Sequence, residues 1–328
     1  MQFRTPIDTS NAKCKSIHYQ DRLFLIGSCF TQHIGQWLEK HFFQTTINPF
    51  GIQYNPLSIA QALHHLIDNK VYQHSEVLQT NQGFRHYDFH SDYAASQQNE
   101  SIHCFNKQIQ IGREALLNST TLLVTFGTAW VYTHCETQQI VSNCHKQPEK
   151  LFSRSRASVQ TILDTWVPLI SNLLEINPEL HIIFSVSPIR HIKDTLHGNQ
   201  LSKSTLLLAI DALQTHFPEH IDYFPAYEIL LDDLRDYRFY ADDMLHPSAQ
   251  AIQYIQAFFA QQYFDSETSN LFQKCHKISQ ALHHKPTDPN APAYKLFLTQ
   301  NIQKLEQLNQ KYPYFRIQKA LNAFQSRL

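Results

Sequence analysis

Leu23-Phe24-Leu25-Ile26-Gly27-Ser28-Cys29-Phe30-Thr31 is the stretch on which the reading of this chain turns. Four consecutive apolar residues stop at a glycine, the length and boundary of a strand buried on both faces. Ile34, Trp37, Leu38 and Phe42 then recur at i, i+3, i+4 and i+8, one face of an amphipathic helix. A buried strand that turns straight into a helix is the opening of a β-α unit, and it leaves the Ser28 hydroxyl on the turn.

Outward from that unit the rhythm repeats. Phe43–Asn48 reads as a second strand, followed by the turn Pro49-Phe50-Gly51. Asn55-Pro56 supplies an N-cap and first-turn proline for a helix with Ile59, Leu63 and Leu66 on one face. Further strands are expected at Thr121–Phe126, His181–Val186 and Ile221–Phe224. Helices are expected over Val159–Leu174, around Leu206–Leu213, and after His246, starting at Pro247. Five strands interleaved with helices predict a parallel sheet in a three-layer α/β/α, flavodoxin-like domain spanning 1–265. Residues 69–118 break the pattern and read as an inserted segment of loops with a hairpin; the piece after Gly127 reads as irregular. Residues 266–328 read as a polar helical extension, interrupted by a linker at Lys285–Pro292.

Only seven glycines occur in 328 residues, and Gly27, Gly51 and Gly127 fall at or just after expected strand ends, where ligand sites of open parallel sheets lie. Lys and Arg (27) balance Asp and Glu (28), and no basic block occurs, which argues against a nucleic-acid partner. The six cysteines contain no CxxC pair and read as reduced thiols, with no metal site: His134-Cys135 and Cys144-His145 fit no common zinc spacing. The first fifteen residues lack an apolar signal core, and no run is long enough to span a membrane, so a cytoplasmic location is expected.

Ser28 combines a hydroxyl with an N–H at a helix start, the elements of a nucleophile and an oxyanion donor; a plain helix cap is the alternative. Much later, Tyr240-Ala241-Asp242-Asp243-Met244-Leu245-His246-Pro247-Ser248 places a carboxylate and an imidazole two residues apart in a loop. Asp243 can then orient His246 as a base, with Asp242 as its rival. Cys29 is the rival nucleophile, read as a buried structural thiol that starts the helix. Arg190 and His191 directly follow the fourth strand and are candidate substrate ligands, with a structural pairing of Arg190 to an Asp of the Asp233–Tyr237 segment equally open.

Gly27-Ser28 and the DxxH loop together resemble the SGNH (GDSL-type) hydrolase superfamily. The chain is closer still to the GSCFA family, through Gly27–Thr31, Asn48–Pro56, Phe126–Tyr132, Asn143–Lys146, Ser187–His191 and Asp236–Ser248. The likeness runs from residue 3 to 260. It implies Ser28 as nucleophile, His246 as base, Asp243 as its orienter, and the N–H groups of Ser28 and Gly51 as oxyanion donors. Where SGNH members carry an Asn donor this chain has Ala129, and loss of such a donor costs about 3 kcal/mol unless it is replaced. The Thr128 N–H and Asn143 are the candidate replacements; Trp130, His145, Arg190 and His191 are candidate substrate contacts. The implied activity is a cofactor-free serine esterase acting on a small acyl ester of a carbohydrate or other polar alcohol. An O-acyltransferase with the same triad and a non-catalytic binding protein are the alternatives.

Overall fold

A computed structural model describes residues 4–8 and 15–328. In chain order the first half contains β1 (Arg22–Gly27), α1 (Cys29–Lys40), β2 (Gln44–Ile47), α2 (Pro56–Ile67), β3 (Leu78–Thr80), β4 (Gly83–Arg85) and α3 (Gln98–Leu117). There follow β5 (Thr121–Phe126), β6 (Trp130–His134), β7 (Ile140–Val141), β8 (Phe152–Arg156), α4 (Val159–Ile176), β9 (His181–Val186) and α5 (Thr195–His216). The chain then forms β10 (Ile221–Phe224), the short α6 (Ala226–Glu228), α7 (Ala249–Tyr263), α8 (Ser266–His283), α9 (Pro292–Lys311) and α10 (Gln318–Gln325).

The five expected strands form one parallel sheet in the order β10-β9-β5-β1-β2. The chain steps outward from β1 to β2, then crosses back to β5, β9 and β10. The reversal falls between β1 and β5, and the carboxyl ends of those two strands flank the crevice where such sheets bind ligands.

Alternation along each strand feeds two cores. Phe24, Ile26, Leu122 and Val124 face α2, α3, α4 and α5, where Leu63, Phe105, Trp166 and Leu206 are fully buried. Leu23, Leu25, Leu123 and Ile183 face α1 and α7 through Ile34, Leu38, Ile255 and Phe259. That second cluster continues into Leu271 and Cys275 of α8, Leu298 of α9 and Phe324 of α10. The carboxyl-terminal helices therefore share the core of the outer α-layer.

Four boundaries differ from expectation. The insertion holds the β3-β4 hairpin but also the twenty-residue helix α3. Its apolar stripe is narrow, since Ile102, Phe105, Ile109 and Leu116 stand among polar residues. The piece after Gly127 is an antiparallel sheet, β7-β6-β8, whose half-exposed strands lack clean alternation. Helix α5 begins at Thr195, well before Leu206. Helix α7 begins at Ala249, with the Ser248 hydroxyl accepting from the Ala251 N–H, so Pro247 precedes the helix.

Cys29, Cys104, Cys135, Cys144 and Cys275 are free thiols; Cys14 and most of the amino-terminal segment lie outside the described residues. Among the described residues no helix is long and apolar enough to cross a membrane, and no group of three or more His, Cys, Asp and Glu residues could hold a metal ion.

His41 seals α1 against α8. Its Nδ1 meets the Trp37 carbonyl at 2.7 Å and its Nε2 meets His276 Nδ1 at 2.9 Å. Burial pushes His41 down from 6.5 to about 4. Between those pH values the unfolded chain takes up a proton that the folded one refuses, so the folded state loses stability as pH falls. Urea unfolding at about pH 7 and about pH 4.5 should show that loss, and His41→Gln should reduce the difference. An unchanged pH dependence in the variant contradicts this assignment.

Candidate active site

Gly27 ends β1 at a point where backbone crowds backbone. Its φ is +140°, and a Cβ there would stand 2.3 Å from the Thr125 carbonyl oxygen on β5. The Gly27 N–H donates to the buried Asn48 side chain at 2.9 Å, and its carbonyl accepts from the Gln53 N–H at 3.0 Å. One residue on, the Tyr54 carbonyl accepts from the N–H groups of Gly127 at 2.7 Å and Thr128 at 3.0 Å. Residues 48–54 thus stitch the carboxyl ends of β1 and β5 together and fix the crevice floor.

Ser28 is the residue just before α1, but its side chain does not cap the helix. Its Oγ is buried and makes no hydrogen bond, which removes the cap as the reason for a hydroxyl here. The Ser28 N–H makes a long bond, 3.3 Å, to the Thr125 carbonyl. Cys29 opens α1 as expected, but it is half-buried whereas Ser28 is 1% exposed, the reverse of the expected order. Burial pushes the Cys29 thiol up, which keeps it protonated and a poor nucleophile.

The DxxH loop forms its pair. Asp243 Oδ2 lies 2.5 Å from His246 Nδ1, while Oδ1 accepts the N–H groups of Leu245 and His246, each at 2.9 Å. Those bonds, the backbone pair first, bring Asp243 down to about 2. Asp243, rather than Asp242, is therefore the carboxylate held on the imidazole. Met244, at φ +58°, makes the tight turn between them. His246 is half-exposed. It lies close enough to His33 on α1 and to His191 after β9 to disfavour their protonation, behind the larger effect of burial.

The remaining candidates separate into two groups. Near the crevice, His191 packs edge-on against Tyr54 with centroids 5.8 Å apart, and burial lowers it to about 4. Arg190 donates to the Tyr240 hydroxyl at 3.2 Å, across to the segment that leads into the DxxH loop, rather than to an Asp of Asp233–Tyr237. Trp130 lies under the Arg154 guanidinium, 4.4 Å from ring centroid to Cζ, and Arg154 pairs with buried Asp194. Asn143 and His145 instead join the insertion: the Asn143 N–H donates to the Tyr87 carbonyl at 3.0 Å, and His145 Nε2 meets the His86 carbonyl at 2.8 Å. The Gly51 N–H is held in a turn by the Asn48 carbonyl at 2.7 Å, and the Thr128 N–H is engaged by Tyr54 as described. A polar groove of about 380 Å³ opens beside Gly51, between Gln32, Asn48, Asp92 and Tyr93.

Three residues at the crevice escaped the sequence reading. Asn48 holds a distant backbone N–H with its side-chain oxygen and Tyr54 acts through its carbonyl, partners that no sequence spacing reveals, although both fall within the Asn48–Pro56 segment. Lys203 sits in the interior of α5, fully buried. Its position in an otherwise amphipathic helix was the available signal, a charge on the apolar face with Leu206 and Ile210.

The chain is thus an α/β protein with a serine at the first strand end and an Asp–His pair in a loop after the last strand. The GSCFA family model matches residues 22–259, and the model of the GSCFA domain protein carboxyl-terminal domain matches residues 275–328. The chain belongs to the GSCFA family. Comparison with curated proteins returned no match. Among solved structures, a Streptococcus pneumonia protein provisionally described as a platelet activating factor is similar at 10% identity, with a TM-score of 0.36, over 76% of this chain and 85% of that one. A likeness at that level carries no argument about fold or activity.

Gly27→Ala should destabilise the protein by at least about 2 kcal/mol, from the disfavoured backbone region and the collision with Thr125. Chemical denaturation checks this. A loss below about 0.5 kcal/mol, typical of ordinary surface substitutions, would show that the β1 end is not close-packed.

Proposed function

We propose that this protein is an SGNH-type serine esterase or acyltransferase acting through an acyl-Ser28 intermediate. The observation that carries the reading is the Asp243–His246 pair together with a buried, unbonded Ser28 hydroxyl at the switch point of the sheet. With its Nδ1 proton donated to Asp243, His246 keeps Nε2 as the basic nitrogen. Ser28 Oγ attacks the ester carbonyl while Nε2 takes its proton; collapse expels the alcohol, which leaves with that proton. Water, or a second alcohol in the transferase case, then attacks the acyl-serine by the same route in reverse. The Ser28 and Gly51 N–H groups receive the developing oxyanion once their long or turn-type bonds yield to it.

The substrate class proposed is a small acyl ester of a carbohydrate or other polar alcohol. The SGNH likeness suggests it, and the polar, aromatic surroundings formed by Tyr54, Trp130, Arg190 and His191 suit a hydroxyl-rich ligand. One observation favours a second reading, a binding protein on a hydrolase fold: the N–H groups of Ser28, Gly51 and Thr128 are all engaged by carbonyls.

A fluorophosphonate probe separates the two. Wild type should be labelled at neutral pH, Ser28→Ala should not be, and His246→Ala should react about 10²–10⁴-fold more slowly. Cys29→Ala should label like wild type. Unlabelled wild type favours the binding protein, and labelling lost only in Cys29→Ala moves the nucleophile to the thiol.

A further inference from the structure

Lys203 is buried completely, yet among the described residues no carboxylate pairs with it. Its Nζ donates to the carbonyls of Gly127 at 2.6 Å and Ser187 at 2.7 Å, the peptides just beyond the ends of β5 and β9. A neutral amine has enough N–H groups for two such acceptors. An ammonium brings a third N–H and a full charge for which these neighbours offer no counter-ion.

Among the described residues no carboxylate acts directly on Lys203. From α1 comes the Cys29 thiol, from the segment after β9 the His191 ring, and from α6 the Tyr227 ring, whose centroid is 5.8 Å from Nζ. Asp194, which acts on His191, is paired with Arg154, and Glu228 and Asp232, which act on Tyr227, are opposed there by Arg190. Burial accordingly lowers Lys203 from 10.5 to about 7, against a smaller opposing effect of Cys29.

The sheet brings the carbonyl that holds the Lys203 amine close to the end of β1 that carries Ser28. Gly27 is paired with Thr125 and the Ser28 N–H donates to the Thr125 carbonyl at 3.3 Å, so Ser28 leaves β1 beside the end of β5, where Gly127 follows, and Cys29 at the start of α1 is near enough to act on Lys203 electrostatically. The Lys203 amine holds the Gly127 carbonyl there. The position left without a side-chain donor, Ala129, follows in the same turn, where its N–H is bound by the adjacent α5 residue Ser202 at 2.8 Å.

We propose that Lys203 is the counter-charge of the Ser28 crevice, a positioning residue that holds its proton more tightly when an anion forms at Ser28. It thereby supplies, from the neighbouring strand end, a positive charge that appears as the anion forms, where Ala129 has no side chain to donate. This rests on the serine reading above.

Phenylboronic acid tests it, because bonding of Ser28 Oγ to boron makes a tetrahedral anion while the Ser28 proton passes to His246. Lys203→Gln keeps two N–H donors for the two carbonyls and removes the charge. Above about pH 7, wild-type affinity should fall by about tenfold more per pH unit than that of Lys203→Gln. Calorimetry in buffers of different ionisation enthalpy should show wild type taking up close to one proton on binding at about pH 8.5. Parallel affinity profiles, or no proton uptake by wild type, would overturn the role of Lys203 while leaving Ser28 intact. If Lys203→Gln does not fold, the wild-type proton count decides alone. Boronate that binds wild type no better than Ser28→Ala overturns the serine reading and Lys203 with it.

Discussion

The carboxyl end of β1 is the constraint on which the rest of this molecule is built. Gly27 must reach into contact with β5, and only a residue without a Cβ can do so, because the Thr125 carbonyl occupies the space. Its two backbone groups are then claimed by Asn48 and Gln53. The same loop, through Tyr54, holds the turn that follows β5. Ser28 comes next in the chain, so its hydroxyl is delivered to the switch point of the sheet by backbone geometry.

Around that fixed point the charged groups are arranged by different means. Asp243 draws on two backbone N–H groups and the imidazole, and so stays ionised while exposed. Lys203 has only carbonyl dipoles and lies in the interior, where its charge is disfavoured. His33 and His191 are held toward the neutral state, chiefly by burial. Negative charge at Ser28, as the proposed acyl transfer would generate, would favour the charged forms of these groups.

The insertion is anchored by a different hub. Asp88, buried among Tyr72, Gln61, His65 and His86, is held well below the usual carboxylate range because His65, His86 and Lys70 outweigh the cost of burial. Gln53 donates to the Asp88 carbonyl at 3.2 Å, which ties the insertion to the loop that closes β1. The placement of Asn143 and His145 against residues 86–87 follows from this arrangement.

The sheet was legible because its strands are buried on both faces and therefore read as unbroken apolar runs bounded by turns. The pairing of Asp243 with His246 was legible because its partners lie three residues apart. Helix α3 and the β7-β6-β8 sheet were not, since their partial burial leaves weak periodicity. Lys203 and Asn48 were missed for another reason: their partners are main-chain carbonyls and an N–H distant in sequence. The most direct measurement is peptide mapping by mass spectrometry after rapid acid quench of the protein with an activated acetyl ester. The account predicts one acetyl group on Ser28, absent when His246 is replaced by Ala. Acetyl found on Cys29, or none on the peptide carrying Ser28 and Cys29, would contradict it.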